Sequence, residues 1–325
     1  MLARTAESLF WLARYTERAG NVARGLAAGL RTALIAGPEE AAEWRALLVA
    51  TGTDPGFRAR HGEDAPPTAE AVVAWLTLDR ANPSSIASCF ESARGNARTV
   101  RAAITTDMWE AVNDTWAELG RRKGASLRDE AVYGFLDWAK SRASAFGGAA
   151  ADTMLRDDAW RFTHLGVMLE RADNTARLLD ARHAAFAPGA EADPWNANAW
   201  GAVLRSVAAA RAYQYVYRAR VEPARVAELL VLRREFPRSL RFCYGRADAT
   251  LREVATAEGQ EGCDDLLALS RSLLARCSSA GATAEAILAA PPIPTGEAGL
   301  HGFLTGAVDD NLRLGASIAR CFLRG

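Results

Sequence analysis

The chain has 325 residues, 50% of them hydrophobic, and balances 39 Lys and Arg against 39 Asp and Glu. That is enough apolar material for one sizeable core or two smaller ones, and zero net charge excludes a global field steering the protein to nucleic acid or an anionic membrane. Arg4, Glu7 and Arg14 interrupt the apolar run that a secretory signal needs, and no later window approaches the roughly 18 clean apolar residues of a bilayer span. A soluble, cytoplasmic protein is expected.

In chain order, the first predicted element is a long helix over 5–36. Leu9, Leu12, Thr16, Ala19, Ala23, Leu26 and Leu30 keep the three-four spacing of one helix face, and Gly37 ends it before Pro38 opens another. The stretch GTDPGFRARHGEDAPPT, 52–68, has loop composition. Asn82 before Pro83 pairs an N-cap acceptor with a proline at the first helical position and predicts a helix over 83–106, followed by helices over 126–149 and 155–187. Asp193 before Pro194 marks a further start, and helices are expected over 237–256, 260–280 and 298–323, with APPIPTGEAG, 290–299, as a second surface connection. Valine and isoleucine are sparse beside alanine, leucine and arginine, so the fold class is all-α, a multi-helix bundle. The five cysteines, at 89, 243, 263, 277 and 321, form no CxxC pair and read as reduced, buried thiols. His61, His164, His183 and His301 have no metal-ligand spacing, so no metal and no cofactor are expected. Trp11 and Trp200 read as core or interface residues.

One phrase occurs twice. YTERAGNVAR at 15–24 returns as MLERADNTAR at 168–177, and a shift of 153 carries Leu12, Glu17, Arg18, Ala19, Asn21, Ala23, Arg24 and Leu26 onto identical residues. With one residue inserted, NPSSIASCF at 82–90 is echoed by FPRSLRFCY at 236–244, and YGFL at 133–136 resembles HGFL at 301–304. A duplicated unit of about 150 residues is the economical explanation, a period far longer than a solenoid repeat. The expected halves are 1–152 and 153–325, packed about a pseudo-two-fold axis in one globular body.

In space, Arg14, Glu17, Asn21 and Arg24 share one helix face, roughly opposite the apolar stripe. Phe10, Ala28 and Ile35 lie on the same strip, so the charges form an island on an otherwise apolar surface. That suits a helix packed on both sides with a polar pocket or ion-pair network at its middle. Glu170, Asp173, Asn174 and Arg177 repeat the arrangement. The helix SCFESARGNARTVR at 88–101 adds Glu91, Arg94, Asn96, Arg98 and Arg101, a set fit for carboxylate or phosphate, or for a surface coat.

RTAESLFWLARYTERAGNVARGL, NPSSI, LGVMLERADNTARLLD and GLHGFLTGAVDDNLRLGASIA together resemble the bacterial alpha-E domain family, named for helices bearing a Glu-Arg motif. The resemblance implies an all-helical protein associated with circularly permuted ATP-grasp-like proteins and transglutaminase-like peptidases, in systems that make or modify peptides. Its motif falls on Glu17, Arg18, Asn21 and Arg24, then on Glu170, Arg171, Asp173, Asn174 and Arg177. Val167 departs from the pattern, since the first copy has Arg14 there, and a weaker second site is expected.

Two function classes follow. The first is a non-catalytic helical partner of an ATP-grasp-like ligase, binding the ligase or a carboxylate-bearing peptide through Arg clusters and apolar helix surface, without nucleic acid or membrane. The second is an enzyme acting on peptides or amides, with Glu17 or Glu170 as general acid or base and an Arg polarising the substrate. No GxSxG, phosphate loop or Cys/His pair points to nucleophilic catalysis, and the partner reading is preferred.

Overall fold

Two long helices that share a motif also share the centre of the molecule. The computed structural model describes residues 1–122, 130–184, 194–258, 263–278 and 300–323, and contains no strand among them. The helices are α1 (Ala3–Ala36), α2 (Glu40–Ala50), α3 (Asp54–His61), α4 (Ala69–Thr77), α5 (Ile86–Thr99), α6 (Thr106–Arg121) and α7 (Glu130–Thr153). There follow α8 (Asp158–Ala184), α9 (Pro194–Ser206), α10 (Ala210–Tyr217), α11 (Pro223–Ala227), α12 (Leu240–Glu258), α13 (Asp264–Arg276) and α14 (Leu300–Ile318). Helix α1 packs on α8, α5, α7 and α9, while α8 packs on α1, α12 and α14.

The elements start where local chemistry dictates. The 83–106 helix is shorter than expected: Asn82 spends its side chain on a turn, accepting from the Ser84 N–H, and Ser85 is the cap, accepting from the Ser88 N–H. Ser239 does the same for α12, accepting from the Phe242 N–H, so that helix begins at Leu240 and not at Pro237. The sequence 52–68 is not all loop. Pro55 lies in the first turn of α3, Phe57 is buried against Trp75 at a ring-centroid distance of 6.1 Å, and Gly62 ends the helix at φ +108°. Burial of one aromatic ring stabilises a segment whose composition alone reads as irregular. The sequence reading did not anticipate α4, α6, α10 and α11. The expected helix over 126–149 is described from Glu130 and runs on to Thr153, and α14 closes with a π-helical segment at Ala319–Leu323. Residues 290–299 lie outside the described residues.

Among the described residues, one buried cluster gathers Ala19, Leu26, Trp44, Trp75, Phe90 and Phe135 from the first 152 residues. Another joins Leu9, Leu12 and Phe146 to Leu165, Leu169, Trp200 and Leu314, so apolar packing runs across the 152/153 boundary. Cys89, Cys243, Cys263 and Cys277 are buried and Cys321 is partly so, none of them in a disulfide, and burial pushes the first four up to about 12. No described helix is long and apolar enough to cross a membrane.

The approach of α1 to α8 is set by one glycine. A Cβ at Gly166 would stand 2.3 Å from the Phe10 carbonyl oxygen and 3.1 Å from the Ala13 Cβ, so the helices touch there through backbone. We expect Gly166→Ala to force them apart and lower stability by about 1–3 kcal/mol despite alanine's better helix propensity. Gly134→Ala, where nothing lies within 4 Å of the added methyl, should instead be neutral or stabilise by up to about 1 kcal/mol. Urea unfolding of both variants checks the pair.

Candidate functional site

One turn beyond that contact, the repeated motif closes on itself across the α1–α8 interface. Glu17 and Arg18 on α1 face Glu170 and Arg171 on α8. The Arg18 Nε donates to Glu170 Oε1 at 2.5 Å and its Nη2 to Oε2 at 3.0 Å, a bidentate grip. Reciprocally, the Arg171 Nη2 donates to Glu17 Oε2 at 3.2 Å. Each Glu-Arg dipeptide thus takes the arginine of the other.

Around this reciprocal core the two glutamates differ. Glu170 has Arg14, whose Nε donates to Oε2 at 2.8 Å, and the Arg14 side chain is 8% exposed with its guanidinium 5.2 Å from the Trp11 ring centroid. Glu17 has no such partner at the matching place, since Val167 stands there. It recruits Arg238 at 2.6 Å and Arg24 at 3.3 Å. Asn21 Oδ1 accepts from both of these, at 2.8 Å each, and holds them together. Arg238 comes from the turn before α12, pinned to α8 by the Thr175 hydroxyl, which donates to the Arg238 carbonyl at 2.8 Å. Asp173 accepts from Arg177 Nε at 2.9 Å, within α8. Asn174 is partly buried, and its amide nitrogen has no hydrogen-bond partner.

The electrostatics follow from burial and charge count. Burial raises the Glu17 carboxyl, but Arg238, Arg171 and Arg24 outweigh it and hold the group at about 2. Glu170 is likewise lowered, burial being overcome by Arg18 and Arg14. Burial, with Arg238 and Arg171 adding like charge, brings Arg24 down to about 9. Three guanidiniums around one carboxylate leave the Glu17 side of the network in positive surplus.

The remaining sequence candidates lie elsewhere. Arg94 donates to Asn113 Oδ1 at 3.3 Å and lies over Trp116 at 5.6 Å; Asn96 donates to the Ser92 carbonyl; Arg98 is exposed. The charged face of α5 therefore serves α6, solvent and, through Glu91, Arg80 before the helix, and does not join the motif residues. Arg14 and Glu17, placed on one island by helix periodicity, serve different carboxylate centres. Sequence reasoning passed over Arg238, although FPRSL carries an arginine where NPSSI has Ser84, and that difference was the available signal.

His164, weighed in the sequence only as a metal ligand and set aside, also lies beside the network. Its ring stacks on Trp160 at 4.6 Å and 12°, and the Arg156 guanidinium covers Trp160 at 4.8 Å. These groups line a recess of about 240 Å³ between α1, α7 and α8, with Glu17 and Arg171 at one side. Burial, then Arg246, Arg171 and Arg156, lowers His164 to about 4, so its imidazole is neutral at physiological pH. Among the described residues no group of three His, Cys, Asp or Glu could hold a metal ion.

A bundle built on two central helices whose Glu-Arg dipeptides interlock is a helical module organised by a buried charge network. The chain belongs to the Alpha-E family, described as a predicted alpha-helical domain with a conserved ER motif, whose profile matches residues 1–323. It is similar to an uncharacterized protein of Mycobacterium bovis and to one of Mycobacterium tuberculosis, each 26% identical over 288 residues. A protein from a second Mycobacterium tuberculosis strain is 25% identical over the same length. Each match takes in 79% of this chain but 30% of the relative, so the chain spans about a third of the length of these curated proteins. No solved structure matches it.

Two predictions follow from the network. Glu170→Ala would strand the buried Arg14 and the partly exposed Arg18 without their shared carboxylate and should lower stability by about 3–5 kcal/mol, whereas Arg98→Ala on exposed surface should stay within about 0.5 kcal/mol; thermal and urea melts decide. For Glu17 the folded pKa, about 2, lies below the ordinary 4.5. Its contribution, about 3 kcal/mol, is therefore full above pH 4.5 and lost as pH falls towards 2. Urea unfolding across that range should show wild type losing stability that Glu17→Gln does not lose.

Proposed function

We propose that this chain is a non-catalytic helical partner of an ATP-grasp-like peptide ligase or peptide-modification system, binding the ligase or a carboxylate-bearing peptide. The partner class comes from the family resemblance. The non-catalytic character rests on one observation: both motif glutamates are closed by guanidinium groups of the chain itself. A general acid or base must have a pKa near the working pH. Glu17, held at about 2, neither takes nor gives a proton at neutrality.

Two further observations support the partner reading. The matching unit fills 30% of its longer relatives, and covalent linkage to other sequence suits a module that acts beside something else, because it raises local concentration. Exposed apolar side chains, Leu34 and Ile35 near the end of α1 and Tyr215 on α10, offer docking surface of the kind partners use. An ATP-dependent ligase works where ATP is, so the proposal sets the chain in the cytoplasm. A transglutaminase-like protein is the second partner that the resemblance names.

The proposal includes a duplicated origin, with halves 1–152 and 153–325 about a pseudo-two-fold axis. In its support, Glu17 takes Arg171 while Glu170 takes Arg18, Ala13 meets Gly166 at the matching position, and Ser85 and Ser239 cap matching helices. The Cys89 and Cys243 thiols also lie 3.9 and 3.8 Å from the Pro83 and Pro237 carbonyls.

The test mixes the purified chain with the ATP-grasp-like protein from the same organism. Co-elution in gel filtration and a changed rate of ADP release by the ligase are expected, with no peptide or amide cleavage by the chain alone. Amide turnover by the isolated chain, abolished in Glu17→Gln or Glu170→Gln with the fold retained by circular dichroism, would install the enzyme reading in its place.

A further inference from the structure

The recess beside Glu17 exists because of one difference between the motif copies. On the Glu170 side, Arg14 reaches across Phe10 and Trp11, comes to 3.7 Å from where a side chain at Gly315 of α14 would begin, and bonds the carboxylate. On the Glu17 side the corresponding residue is Val167, and the corresponding glycine, Gly147 of α7, has nothing within 4 Å of where its side chain would begin. The volume that one side fills with a guanidinium is left open on the other, and both Val167 and Gly147 line it.

The lining states what could occupy the space. Arg171 and His164 both face it, and the Arg171 Nε and His164 Nε2 are buried without a hydrogen-bond partner. An unsatisfied buried donor is a standing cost that a ligand atom can remove. The surrounding charge is positive, since Glu17 lines the recess but is outnumbered by Arg24, Arg171 and Arg238, and Arg156 adds another at the exposed end. A second cation in the place of Arg14 is therefore disfavoured and an anion is favoured. Phe146, Val167 and Met168 supply apolar wall, which a bare inorganic ion does not use and an organic body does. At about 240 Å³ the space exceeds what one or two waters need.

We propose that this recess binds a small organic carboxylate, its anionic head between Arg171, His164 and Arg156 and its apolar body against Phe146, Val167 and Met168. The imidazole, neutral when the recess is empty and faced by Arg246, Arg171 and Arg156, gains a counter-charge when it is filled, so filling raises its proton affinity. The proposal stands whether or not the chain partners a ligase.

The experiment titrates the full chain with N-acetylalanine, acetate and inorganic phosphate by calorimetry, and follows the His164 imidazole signals by NMR across pH. N-acetylalanine should bind at least about tenfold more tightly than acetate or phosphate, and should raise the His164 pKa. Arg156→Ala, at the exposed rim, should weaken binding about tenfold with the melt unchanged. Val167→Trp should abolish binding with the fold retained by circular dichroism, because the larger side chain fills the recess that Val167 lines without adding charge. Phosphate binding as tightly as N-acetylalanine, binding indifferent to Arg156→Ala, or no shift at His164 with any of the three would each overturn the proposal. Gel filtration with the ligase is a separate readout, so failure of either reading leaves the other standing.

Discussion

The structure depends on holding two carboxylates and their guanidiniums at the contact between its two longest buried helices. Taking such groups out of water costs several kcal/mol per ion, and mutual attraction repays this only where the geometry satisfies every charge. The interlock meets that condition for both carboxylates by crossing the interface: Arg18 grips Glu170 and Arg171 grips Glu17. The approach at Gly166 brings the backbones near enough for these side chains to reach. A close helix contact and a buried ion network are therefore one constraint.

The two sides of the network are chemically unequal, and the inequality is where function can enter. Around Glu170, Arg14 and Arg18 account for the carboxylate and the space. Around Glu17, loss of the Arg14 equivalent is offset from a distance, by Arg238 on the turn before α12 and by Arg24, bridged through Asn21. That solution keeps the carboxylate ionised but leaves excess positive charge, a depressed Arg24, an unpartnered Arg171 Nε and an open volume. These are the features on which the proposed carboxylate site rests.

The same inequality speaks to catalysis. Glutamates act as acids or bases when burial raises their pKa towards neutrality without a countervailing cation. Here burial is the largest single influence on both motif glutamates, and the arginines reverse its sign. His164 is the titratable group in the recess that carries no such lock, and it lies neutral beside Trp160. On these grounds the chemistry proposed for this site is recognition of an anion, with no proton transfer by glutamate.

Much of this was legible in the sequence. Helical periodicity, the cap signals and the sparse β-branched residues determined an all-helical chain, and the doubled Glu-Arg phrase on an otherwise apolar strip marked the buried polar centre. Those are local properties, fixed by spacing along one helix. The extent of α5 and α12 was misread because proline and serine compete for the cap, and the hydroxyl of Ser85 or Ser239 wins only when the preceding turn is folded. Helix α3 needed Phe57 to find Trp75. What tertiary structure alone decided is which arginine meets which glutamate, that Arg14 serves the opposite helix while Arg238 arrives from 221 residues away, and that a valine at 167 in the place of an arginine lines a recess. Pairing and empty volume are relations between elements, and a single chain of letters records the elements without the distances between them.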